Sequence, residues 1–141
     1  MGNNSSKYLI NFEDIKYALN NKNNYVIINT LSNDMQSCLI LNTIKIENEE
    51  QIINNLLKSN NNINIIVYGK NNNDISVYTK HKQLKNLGFS SVFIYIGGIF
   101  EWLMLQELYG EDEFPTTSYD IDILKYKPLS SINTNRYLLT N

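Results

Sequence analysis

Three runs of strand length carry apolar residues with little alternation, and they constrain the fold more than anything else in the chain. The most informative is Ile65, Ile66, Val67 and Tyr68, which stops at Gly69. A strand with one face in water alternates apolar and polar residues, whereas a continuous run belongs to a strand covered on both faces, as in a parallel sheet. Residues 25–29 (YVIIN) and 91–96 (SVFIYI) read the same way. Between these runs the apolar period becomes helical. Asn11 is an N-cap with Asp14 three residues on, and Phe12, Ile15, Ala18 and Leu19 form a stripe ending near Asn20. Residues 49–58 place Ile52, Ile53, Leu56 and Leu57 at helical spacing behind an acidic start. Residues 75–87 do the same with Val77, Tyr78, His81, Leu84 and Leu87 before Gly88, and residues 99–109 with Trp102, Leu103, Leu105 and Leu108. Residues 39–46 are expected as two short strand-like pieces around Asn42. Strand and helix alternate, so the expected fold is α/β: a mostly parallel central sheet, helices on both faces, one domain.

The domain is expected to span residues 8–110, after a polar segment 1–7 and before an extension 111–141. The extension has an acidic then mixed character without clear period, and is expected to lie over the domain or to move partly free of it. Leu, Ile, Val and Phe make up nearly a third of the 141 residues, enough for a core at this length. Asn and Ile are abundant and Ala almost absent, which reads as coding bias that widens polar loops. A net charge of -2 gives no basic surface for a phosphate backbone, so nucleic acid is not expected as a partner. The single cysteine, Cys38, excludes an internal disulfide and a multi-cysteine metal site; no metal or cofactor is expected, and a reducing, cytoplasmic compartment fits. No apolar run reaches the length of a membrane span.

Function is expected where the central run ends. Gly69, Lys70, Asn71, Asn72, Asn73 and Asp74 cannot extend the strand, because Asn and Asp side chains compete for nearby backbone groups and tolerate turns. The helix beginning near Ile75 makes this a loop between a strand's carboxyl end and a helix's amino end, where α/β folds bind ligands and backbone N–H groups face anions. At the other extreme of the chain, Met1-Gly2-Asn3-Asn4-Ser5-Ser6 matches the pattern for removal of Met1 and myristoylation of Gly2. The alternative is a plain polar terminus. One acyl chain gives only reversible membrane binding.

The element order, the strand IIVYG running into a loop and helix, the opening INFEDIKYAL, and above all the phrase LGFSSVFIYIGGIFEW make residues 6–109 resemble the rhodanese-like domain. In that phrase Leu87, Gly88, Phe89, Gly97, Gly98 and Trp102 stand as they do in the family. The amino half fits less well: Asn29 and Leu31 stand where the family has Asp and Arg, and CLILNT from Cys38 replaces Gly-His-Ile-Pro-Gly-Ala. The resemblance implies that an active member would carry its nucleophilic cysteine at Gly69. Glycine cannot attack sulfur or phosphorus. Lys70 keeps one of the usual loop cations, while Asp74 puts an acid near a position where Arg is common and is expected to weaken anion capture by repulsion. The loop also resembles the longer one of the family's phosphatase relatives.

Two functions follow from the resemblance: a catalytically inactive binding or regulatory module that takes an unidentified protein partner or a small anion at the loop from Lys70 to Asp74 and is recruited to membranes if Gly2 is acylated, or a sulfurtransferase or persulfide carrier that uses Cys38 instead. Cys38 also reads as a small buried hydrophobe. His81 reads as a packed or surface histidine. Glu107, Glu111, Asp112 and Glu113 are either a solvated face or, with Phe114 and Pro115 embedded, a docking edge for a basic partner.

Overall fold

The computed structural model describes residues 7–132 and places the strands in one all-parallel sheet of order β1-β4-β3-β2. β2 (Tyr25–Asn29), β3 (Asn64–Tyr68) and β4 (Ser91–Tyr95) are the three apolar runs. Tyr25 lies opposite Asn64 and Asn64 opposite Ser91, so the strands end level at Asn29, Tyr68 and Tyr95. Their following loops therefore leave from one edge. β1 (Leu9–Ile10) pairs with Ile94 and Tyr95. Two residues are too few to show a period, which is why sequence reasoning misses this strand.

α1 (Phe12–Leu19) and α4 (Gly98–Tyr109) cover one face, and α2 (Ile46–Ser59) and α3 (Ser76–Leu87) the other. β3 supplies both cores. Ile66 and Tyr68 point into the first, Ile65 and Val67 into the second, and none of the four is more than 1% exposed. Each such side chain contributes about 1.5–3 kcal/mol by leaving water. α1 starts as its sequence implies: Asn11 accepts from the Glu13 and Asp14 N–H groups, and Asp14 accepts from the Asn11 N–H.

Residues 39–46 depart from expectation. They form no strand beyond isolated bridges of Ile40 to Thr116 and Thr43 to Ile27, and α2 begins at Ile46, ahead of Glu49. Asn42 takes a positive φ of 68°, and the Thr43 N–H turns back to the Ile40 carbonyl, which breaks the extended run. A side chain holds the turn instead of a ladder: the buried Tyr68 hydroxyl accepts from the Ile40 N–H at 3.1 Å and lies 2.8 Å from Thr43 Oγ1.

The described part of the 111–141 extension lies over the domain as a strap. Phe114 and Tyr126 are 3% and 0% exposed and belong to the first core. Phe114 meets the Trp102 ring edge-on at 5.0 Å, the Trp102 indole donates to the Pro115 carbonyl, and Gln106 donates to the Phe114 carbonyl. Phe114 is thus a core residue rather than part of an exposed docking edge. Among the described residues no helix is long and apolar enough to cross a membrane.

Tyr68→Phe removes the acceptor for the Ile40 N–H while keeping the ring. Leaving that buried donor unpaired should cost about 1–3 kcal/mol, read as a lower urea midpoint with an unchanged denaturant slope.

Candidate functional site

The loop between β3 and α3 occupies residues 69–75, at the edge where all three long strands end. Gly69 is buried. Its carbonyl and that of Lys70 accept from the Ile99 and Phe100 N–H groups at 3.0 and 2.9 Å, so the amino end of α4 is spent on the loop backbone. Gly98 makes this approach possible. It has a φ of +68°, and a Cβ there would lie 2.7 Å from the Gly69 carbonyl oxygen and 2.9 Å from the Asn71 nitrogen.

Asp74 fills the inside of the loop. Its Oδ2 accepts from the Lys70 N–H at 2.8 Å, and its Oδ1 accepts from the Ser76 N–H at 3.0 Å and the Ser76 hydroxyl at 2.6 Å. Ser76 Oγ also lies 2.7 Å from Thr30 Oγ1, which ties the cluster to the loop after β2. Burial by itself would raise the Asp74 pKa. The hydroxyl of Ser76, the two backbone N–H groups and the charge of Lys70 outweigh it and hold the carboxyl below its ordinary value. A carboxylate is therefore seated where backbone donors converge. The negative charge at this point of the loop is the chain's own.

The neighbouring donors are also engaged. Asn71 is buried; its Oδ1 accepts from the Asn73 N–H, its carbonyl from the Asp74 N–H, and its Nδ2 donates to the Tyr126 carbonyl of the strap at 2.8 Å. Asn72 and Asn73 are exposed at the tip, and Lys70 is half-buried. An ideal Cβ at Gly69 would fall 2.4 Å from Asp74 Oδ2 and 2.9 Å from Thr30 Oγ1. The loop in this conformation has no room for a side chain at position 69.

Residues 13–105 match the family described as the rhodanese-like domain. The chain belongs to that family. Similar solved structures are the BH2092 protein from Bacillus halodurans (15% identity, 87% of this chain and 92% of that one, TM-score 0.59), the rhodanese-like domain of the Alr3790 protein from Anabaena sp. (18%, 89% and 87%, 0.55) and the As-Sb reductase from Leishmania major (17%, 94% and 99%, 0.56). At these identities the likeness is one of fold. No curated protein matches the sequence.

Elsewhere in this rhodanese-like domain, Cys38 is 1% exposed. Its thiol donates to the Ser118 carbonyl at 3.2 Å, beneath the pairing of Leu39 with Thr117. Burial pushes its pKa up, which favours the thiol over the nucleophilic thiolate. His81 stacks on Tyr8 with ring centroids 4.2 Å apart, and its Nε2 lies 3.0 Å from the Val92 carbonyl oxygen. Among the described residues no cluster of His, Cys, Asp and Glu is suited to a metal ion. Gly2 lies outside the described residues. Sequence reasoning finds the loop but not its partners Thr30, Ser76 and Tyr126. The spacing Asn71-x-Asn73 and Asp74-x-Ser76 is the available signal, since Asx side chains bond backbone two residues on.

Asp74→Asn sets an amide N–H₂ against a backbone donor and should cost about 1–3 kcal/mol. The folded-state pKa of Asp74 is lowered, so its contribution is present above the unfolded-state carboxyl pKa and is lost as pH falls through the folded value. Urea titrations across the acid range should show a flatter loss of stability for the variant.

Proposed function

We propose that this rhodanese-like domain is a non-catalytic binding or regulatory module. The observation that carries this reading is the Asp74 carboxylate, seated inside the loop that the resemblance assigns to catalysis and bonded to the Lys70 and Ser76 N–H groups. Those donors do not await a substrate, and Gly69 supplies no nucleophile at the loop's first position. The buried, protonated Cys38 does not replace it. Recruitment to membranes from the cytoplasm by a myristoyl group on Gly2 is the second part of the proposal, supported by the sequence motif.

A thiosulfate:cyanide assay tests the first part. Neither the wild type nor Cys38→Ala should turn over, and turnover lost in Cys38→Ala would overturn the reading. Intact-mass analysis of protein from a myristoylating host should show loss of Met1 and gain of the acyl group; with Gly2→Ala, folding should survive and the acyl mass disappear.

Gly69→Cys tests the packing that closes the loop. Alone it should lower stability by about 1–3 kcal/mol, because the new side chain meets Asp74 and Thr30. Combined with Asp74→Ala, its cost should shrink in a double-mutant cycle measured by urea denaturation. Additive costs would mean that the carboxylate does not fill the space above position 69.

A further inference from the structure

α4 is apolar on both sides. Ile99, Trp102 and Leu103 are buried against the sheet and strap. On the outer side, Phe100, Met104, Leu105 and Leu108 line a groove of about 490 Å³, bordered by Pro128 of the strap and by Asn72 at the loop tip. These positions recur at the three- and four-residue intervals by which one helix meets another element. Met104 is 44% and Leu108 73% exposed. A helix apolar all round is ordinarily covered all round, and here one side is open among the described residues.

Charge indicates what fits. Glu101 stands in the groove wall with its Oε1 accepting from the buried Tyr95 hydroxyl at 2.6 Å. Its carboxylate folds over Gly97, where a Cβ would collide with it. Glu107 is exposed on the same helix, two residues before its end at Tyr109. α4 carries no Lys or Arg. Glu101 is the one charged residue in the groove lining, and on the strap side Lys125 is paired with Asp120 at 2.8 Å. A second copy laid helix on helix would set carboxylates against carboxylates with no cation on either α4.

We infer that this groove docks an amphipathic helix of another protein whose apolar face is bordered by Lys or Arg. The inference rests on the binding-module reading and names the chemistry of the partner. It also places the contact beside the Asn72 loop tip, not inside the closed loop.

The full chain is titrated with a labelled peptide of about 18 residues, five helical turns, with Leu at positions i, i+3, i+4 and i+7 and Lys on both borders. The control peptide carries Glu in place of Lys. The Lys-bordered peptide should bind at least about tenfold more tightly, with an advantage that shrinks in salt. Leu108→Asp and Met104→Asp should each weaken it by about tenfold or more. Both positions are exposed, so circular dichroism melts should show folding intact. Equal binding of the two peptides, or binding indifferent to Leu108→Asp, overturns the inference. A dimer in sedimentation that Leu108→Asp disperses would make the occupant a second copy. Residues 133–141, which include Leu138, lie outside the described residues; peptide binding that appears only after Leu138→Asp would assign the groove to that segment, and either result replaces the proposed partner. Turnover of thiosulfate by the wild type would sink the binding-module reading; absence of both turnover and peptide binding would sink the groove alone.

Discussion

Strand β3 has no face to give to water, and the arrangement of the domain follows from that. Its side chains enter two separate cores, so the sheet needs helices on both sides; parallel pairing to β2 and β4 makes α2 and α3 the crossovers on one face, and α1 and α4 cover the other. Because the three strands end level, their loops collect at one edge. The loop after Tyr68 is central among them. What this edge can do is then a question of which groups satisfy the backbone donors that the strand ends and helix starts expose there.

In this chain the satisfying groups come from within. The Asp74 carboxylate takes the Lys70 and Ser76 N–H groups, Asn71 takes its neighbours and reaches the strap, and the first N–H groups of α4 take the loop's own carbonyls. Each of these bonds is of ordinary geometry. Together they make the loop a closed turn that carries its own negative charge. Missing side chains matter as much. Gly98 lets α4 come against the loop, and Gly69 leaves the space that the carboxylate enters. A side chain at position 69 and the carboxylate of Asp74 would contend for one volume.

The strap completes the same face. Phe114 and Tyr126 finish the core that α1 and α4 begin, and the Tyr126 carbonyl anchors Asn71. The Tyr126 phenol, held to Asp120, has its pKa pushed up to about 12 by burial and by that carboxylate, and so stays protonated at neutral pH. With the inner side of α4 closed in this way, its outer apolar residues are left with Pro128 as their neighbour on the strap. The acidic run around residues 107–113 and the open apolar stripe then lie on one helix and the turn after it. The sequence marked the acids. It attached them to Phe114, which packing has taken inside.

Much of the domain was written in local pattern. Unalternating apolar runs at residues 25–29, 65–68 and 91–96 determine a sheet covered on both faces, helical spacing determines the crossovers, and Asn11 with Asp14 determines where α1 begins. These are legible because period and capping are properties of neighbouring residues, each with a free-energy consequence that does not wait for the rest of the fold. The same pattern locates the loop after Tyr68, and the absence of a cysteine in it needs no structure to see. The tie of Ser76 to Thr30, the hold of Tyr68 on residues 40–43, the burial of Cys38 under Ser118 and the closure of the inner side of α4 by Tyr126 come only from tertiary structure. Each joins residues well apart in the chain. A side chain that can bond to either of two acceptors is assigned by which one the packed core brings within reach.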